Sequence, residues 1–236
     1  MAAVEIRKQT SSSSPLSLHG RVAIVTGSSR GIGRAIATHL HSLGAKLVIN
    51  YASNSTQADL LASQLNSSSP NSAIAVRADV SDPDQVKLLF DKTQQEFGYQ
   101  IHILINCAGV ADPNYRTLAN TAIEDWDRIF NVNTRGAFLG AREAANRLIR
   151  CGGGRIISIT TSLIGTKLPG FGAYSASKAA VETMTRILAK ELKGTGITTN
   201  CVAPGAVATD MFFEGKTDEM IKRAVDACPL GRLGET

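Results

Sequence analysis

Short apolar, β-branched runs alternate with longer stretches of helical periodicity from Gly20 to Val202, and this alternation limits the folds open to the chain more than any other feature. Six runs are strand-sized: residues 22–26, 46–49, 73–78, 101–105, 155–160 and 196–202. Between the first two, Ile32, Ile36, Leu40 and Leu43 recur at helical spacing and stop at Gly44. Residues 56–65 predict a second helix, followed by a Ser/Pro/Asn loop over 66–71. Ser81 is expected to cap a third, with Pro83 in its first turn and Val86, Leu89, Phe90 and Phe97 as its buried stripe. A helical stretch then carries Trp126, Ile129 and Phe130 through Phe138 to Leu148 and ends at the glycines 152–154. Residues 174–192 form a long helix, and 218–227 a last one framed by loops. Repeated strand-helix-strand crossovers force the strands parallel and put helices on both faces of the sheet. The expected fold is α/β: a doubly wound, three-layer α/β/α sheet of the Rossmann type, with ligands bound beyond the carboxyl ends of the strands.

At 236 residues the chain reads as one such domain over 19–236. Residues 1–18 are polar, with serines 11–14, Pro15 and the single acid Glu5; they are expected to be a disordered arm, with a short organelle-targeting segment as the alternative. The corresponding location is cytoplasmic, with the chloroplast as its alternative. No apolar run approaches the roughly 18 residues of a membrane span. The net charge of +5 is spread too evenly for a nucleic-acid groove, and 5% aromatic residues supply few stacking platforms. Cys107, Cys151, Cys201 and Cys228 lie far apart and read as reduced, buried thiols; with no liganding pattern among the four histidines, no metal is expected.

The chemistry begins between the first strand and first helix, at Gly27-Ser28-Ser29-Arg30-Gly31-Ile32-Gly33. Spaced glycines allow close backbone approach, and the helix start presents unpaired N–H groups to a pyrophosphate. Strand before and helix after supply the context a dinucleotide loop requires. Farther on, Tyr174 and Lys178 stand four apart, on one face of a helix that starts beside the same crevice. An ammonium about 4 Å from a phenol, at an effective dielectric of ~20, contributes about 4 kcal/mol or three pKa units, which would draw Tyr174 toward neutrality.

The Gly-x-x-x-Gly-x-Gly loop, Asp79-Val80, Asn106-Cys107-Ala108-Gly109, Asn133, Ser162, Tyr174 with Lys178, and Pro204-Gly205 followed by Thr209 together resemble the short-chain dehydrogenase/reductase family. Within it the chain is similar to plant NADPH-dependent aldehyde reductases and 3-oxoacyl thioester reductases. The resemblance implies hydride transfer between a nicotinamide and a small-molecule carbonyl, with Tyr174 as proton donor. Lys178 would lower its pKa and hold the nicotinamide ribose, Ser162 would bond the carbonyl, and Asn133 would fix a relay water. Ser162 is preferred to its neighbours Thr160 and Thr161 because Ser162-Leu163-Ile164-Gly165 matches the family's Ser-x-x-Gly.

The resemblance also implies a coenzyme site of Gly27, Ser29, Arg30, Gly31, Ile32 and Gly33 around the phosphates. Asp79 and Val80 would lie at the adenine, Asn106, Ala108 and Gly109 on the adenosine side, and Pro204, Gly205, Val207 and Thr209 at the carboxamide. NAD-preferring relatives end the second strand on a carboxylate; here Asn50-Tyr51-Ala52-Ser53 stands there, and Arg30 can fork a 2'-phosphate, so NADPH/NADP+ is the expected coenzyme. Cys107 departs from the commoner second Asn of its motif. Relatives continue past residue 232 into a helix and a seventh strand; without these the sixth strand is expected at a sheet edge, and the homo-oligomer usual in the family would lose part of a contact. The rival readings are a 3-oxoacyl thioester reductase and an idle NADP(H)-binding protein.

Overall fold

The computed structural model describes residues 18–98 and 100–236; the remainder of the expected N-terminal arm, residues 1–17, lies outside the described residues. The strands are β1 (Val22–Val25), β2 (Lys46–Tyr51), β3 (Ala73–Arg77), β4 (Ile103–Asn106), β5 (Arg155–Ile159) and β6 (Thr198–Val202). The helices are α1 (Gly31–Ser42), α2 (Ser55–Ser68), α3 (Pro83–Phe97), α4 (Ile123–Phe130), α5 (Gly136–Arg147), α6 (Leu163–Thr166), α7 (Gly172–Glu191), α8 (Asp210–Phe213) and α9 (Asp218–Asp226). The strands form one parallel sheet in the order β3-β2-β1-β4-β5-β6. The chain winds outward from β1 to β3, then returns to add β4 on the other side. The crevice therefore opens where β1 meets β4.

Alternate residues of each strand face opposite layers. Ile24, Val48, Leu104 and Ile156 pack with Leu89, Phe90, Leu139 and Leu192, from α3, α5 and the end of α7. Ala23, Val25, Leu47, Ile49 and Ile105 pack with Ala37, Leu61 and Leu65 of α1 and α2. All four residues of β1 and of β4 are buried. Each buried Val, Ile or Leu among them contributes about 1.5–3 kcal/mol to the core beneath the crevice.

Several expectations are corrected. Asp82, not Ser81, caps α3: its carboxylate accepts the Asp84 and Gln85 N–H groups at 2.9 and 3.2 Å, while the Ser81 hydroxyl donates to Asp79 at 2.8 Å. α2 continues into the expected loop as far as Ser68, and the Asn66 side chain closes the turn by bonding Ser72 and Ala73. The long helix expected through Trp126 and Phe138 changes to a five-residue π-helical turn at Asn131–Arg135. The cysteines are free but not buried as expected: Cys107, Cys201 and Cys228 are half-buried, and Cys151 is exposed, in a glycine turn where its own φ is 65°. β6 stands at the sheet edge among the described residues, and Gly234 folds back to bridge Val207 in the loop that follows it.

Candidate active site

The loops after β1 and β4 are locked together by one hydroxyl. Thr26 Oγ1 accepts the N–H groups of Cys107 and Ala108 at 3.0 and 3.1 Å. Gly27, at φ +62°, sits so close that a Cβ there would stand 2.7 Å from the Ala108 Cα. Gly33 lets α1 pack against the same turn, since its Cβ would meet the Gly27 carbonyl oxygen at 2.5 Å. Asn50 is spent structurally: its Oδ1 accepts the Gly27 N–H at 3.1 Å, and its amide donates to the Ala78 and Val76 carbonyls. Asn106 is also buried and donates to the Ala137 carbonyl at 3.2 Å.

α1 begins without a side-chain cap and without an acid in its first turn, whereas α2, α3, α8 and α9 are capped by Asn54, Asp82, Thr209 and Thr217. Its N-terminal N–H groups thus keep their affinity for an anion. Arg30, at that start, is exposed and paired at 3.6 Å with Asp210, from the loop after β6. Thr209 Cγ2 lies 3.4 Å from where a Cβ on Gly31 would stand, so the same loop roofs the glycine turn. Ser29 is buried in that turn beside the half-buried Ile32. At the end of β2, Tyr51 is half-buried while Ala52 and Ser53 are exposed. Sequence reasoning passed over Arg77, whose Nε donates to the Ala52 carbonyl at 3.1 Å and so brings its guanidinium to this end of β2. The parallel register, Tyr51 opposite Arg77, was the signal for it.

α7 carries Tyr174 and Lys178 into the other half of the crevice. Lys178 is buried and its Nζ donates to the Ile159 carbonyl at 2.9 Å. Gly109 separates it from Asn133: a Cβ there would lie 3.3 Å from both Lys178 Nζ and Asn133 Oδ1. The Asn133 side chain accepts the Val110 N–H at 2.8 Å and donates to the Val110 carbonyl and the Ser177 hydroxyl. It therefore fastens the loop after β4 to α7. Thr161 is buried and its hydroxyl, which accepts the Leu163 N–H at 3.3 Å, acts on the Tyr174 phenol to lower its pKa. Ser162 is exposed beside the loop after β6: its N–H donates to the Pro204 carbonyl at 3.0 Å, and its Oγ lies 4.0 Å from a Cβ built on Gly205. Asp79 accepts from Ser81, and Val80 is buried against Gly136. Val207 pairs with the returning C-terminal segment.

The sequence profile of the short chain dehydrogenase family matches residues 21–220. The chain belongs to that family. It is 58% identical over 229 residues to the "NADPH-dependent aldehyde reductase-like protein, chloroplastic" of Arabidopsis thaliana, covering 94% of this chain and 85% of that one. It is 53% identical to "NADPH-dependent aldehyde reductase 2, chloroplastic" of the same plant, over 95% of this chain and 86% of the relative. Among solved structures, a dehydrogenase/reductase from Sinorhizobium meliloti superposes with a TM-score of 0.85 at 36% identity, covering 93% of this chain and 84% of its own.

As a short-chain dehydrogenase the chain is an oxidoreductase, and the electrostatics of its crevice correct one expectation. Tyr174 is not drawn toward neutrality: burial pushes its pKa up to about 12, the neighbouring Cys107 adds to the rise, and the Thr161 hydroxyl opposes it. Burial brings Lys178 down to about 8 and carries the Cys107 thiol up to about 11. Desolvation is the largest cause for each of these three groups and favours its uncharged form. At neutral pH the phenol keeps its proton, the form a proton donor needs. Among the described residues no helix is long and apolar enough to cross a membrane, and no group of three or more His, Cys, Asp or Glu is placed to hold a metal ion.

Proposed function

We propose that this short-chain dehydrogenase reduces an aldehyde or ketone to an alcohol with NADPH, and that Tyr174 donates the proton. The carrying observation is Tyr174 in the first turn of α7, four residues before the buried Lys178, whose Nζ donates to the Ile159 carbonyl at 2.9 Å and stands across Gly109 from Asn133. The uncapped start of α1, the closely packed Gly27 and Gly33, and the cations Arg30 and Arg77 fit a phosphorylated dinucleotide, and the end of β2 has no carboxylate to repel a 2'-phosphate. The relatives named as NADPH-dependent support the same coenzyme.

Bound NADPH supplies the hydride. Tyr174 and Ser162 hold the substrate oxygen between two hydroxyls, and the phenolic proton moves to that oxygen as negative charge develops there. Lys178 holds the nicotinamide ribose and steadies the phenolate by its charge. Asn133 keeps Val110 and Ser177, and hence the loop after β4 and α7, in fixed relation. We place the protein in the chloroplast, where both Arabidopsis relatives are named.

The test is NADPH consumption with a panel of aldehydes, ketones and a 3-oxoacyl thioester, by wild type and by Tyr174→Phe. Turnover of the simple carbonyls that collapses in the variant supports the reading. Turnover of the thioester alone favours the rival reductase, and NADPH binding without turnover favours the idle binder.

A further inference from the structure

Three loops leave the carboxyl ends of β4, β5 and β6, and they meet at a single ammonium. Lys216 Nζ donates to the Tyr115 phenol at 2.7 Å and to the Phe212 carbonyl at 2.5 Å. It lies 4.5 Å from the ring centres of Tyr115 and Phe212 and 5.7 Å from that of Phe171. The Tyr115 phenol in turn donates to the Glu214 carbonyl at 2.6 Å, and its ring packs 5.2 Å from Phe171. Phe171 stands three residues before Tyr174, at the start of α7.

Two features indicate that this contact is held in place by its surroundings. Tyr115 has φ of 50°, a left-handed conformation that costs a bulky side chain energy and persists only where neighbours enforce it. The enforcing neighbours are present. The Asp112 carboxylate accepts the Asn114 and Arg116 N–H groups, Arg116 pairs with Asp125, and Arg128 donates to the Ala111 carbonyl, so the loop is bolted to α4. On the other side, Gly215 (φ +71°) lies so close to Pro113 that any Cβ would overlap the proline carbonyl. The segment 210–217 is thus tied at both ends, by Thr209 and Asp210 at the glycine loop and by Gly215 and Lys216 at the loop after β4.

We propose that Tyr115 and Lys216 form a clamp that straps segment 210–217 across the mouth above Tyr174, and that this clamp sets how bulky a carbonyl compound gains entry. The proposal rests on the reductase reading for its substrate, and on the geometry alone for the clamp. With the strap closed, small aldehydes pass; a bulky ring requires it to lift. Removing the ammonium, or the phenolic oxygen, takes away a charge-assisted bond and leaves the aromatic packing in place.

The experiment compares wild type with Tyr115→Phe and Lys216→Met, two changes from different elements, each checked for an unaltered circular dichroism spectrum and NADPH affinity. Chymotrypsin cleavage after Phe212 and Phe213 reports how often the strap opens. The kcat/KM ratio of a bulky aromatic aldehyde to propanal reports selectivity. Both variants are expected to be cut roughly tenfold faster and to shift the ratio severalfold toward the bulky substrate, chiefly through KM. Cleavage at the wild-type rate, or faster cleavage with an unchanged ratio, would overturn the proposal. If wild type reduces no carbonyl compound, the reductase reading fails, and with it the selectivity role; the cleavage rates still decide whether the clamp exists.

Discussion

Replacing Lys178 by methionine removes an ammonium that the fold has taken out of water, and the consequence for stability can be worked from its pKa. Burial brings that pKa from 10.5 to about 8. The unfolded chain therefore binds more protons than the native one between those values, and the native state gains stability as pH rises through that window. One pKa unit corresponds to about 1.36 kcal/mol, so wild type should gain about 2 kcal/mol from this group alone between pH 7 and 9.5. Lys178→Met has no such gain. It also loses the bond to the Ile159 carbonyl, a constant offset that does not depend on pH. Urea unfolding of both proteins across pH 7–9.5 gives the difference in stability. Cys107 and Tyr174 are both raised, so each contributes stability present below its unfolded pKa and lost at higher pH as its folded pKa is approached; being common to both proteins, they largely cancel in the difference. The expected result is that the variant's advantage shrinks, or its deficit grows, by about 2 kcal/mol as pH rises over this range. A difference that stays flat within about 0.5 kcal/mol would refute the claim that desolvation dominates this lysine.

Three further outcomes follow from contacts in the crevice. Ser162→Ala should lower kcat by about a hundredfold with NADPH affinity unchanged, whereas Thr161→Val should cost less than about threefold; steady-state kinetics on both variants decides between the two hydroxyls. Arg30→Gln and Arg77→Gln should each weaken NADPH binding about tenfold and leave NADH binding nearly unaltered, read by coenzyme fluorescence titration. Gly33→Ala should destabilise the fold by about 1–3 kcal/mol in chemical denaturation, because the added methyl drives into the Gly27 carbonyl.

The strands, the glycine turn and the Tyr174–Lys178 face were legible because each is written in local spacing. A period of two buries alternate residues of Ile24 and Val25 on opposite faces, and a spacing of four places two side chains on one face of α7. The same spacing could not choose between Ser81 and Asp82 as a cap, because adjacent polar residues differ only in the direction the folded backbone gives them. It missed the direction of the Tyr174 shift because a phenol's pKa depends on how much water its neighbours exclude, a property of packing in three dimensions. It was silent on Tyr115 and Lys216, which are 101 residues apart in the chain. The sequence by itself determined a doubly wound sheet with a dinucleotide turn and a tyrosine-lysine helix, since periodicity and glycine placement act within a few residues. Only the tertiary structure decided which side chain caps α3, that Arg77 reaches the end of β2 and that Lys216 meets Tyr115, since those contacts depend on side-chain directions and solvent exclusion that arise when distant loops close on one another.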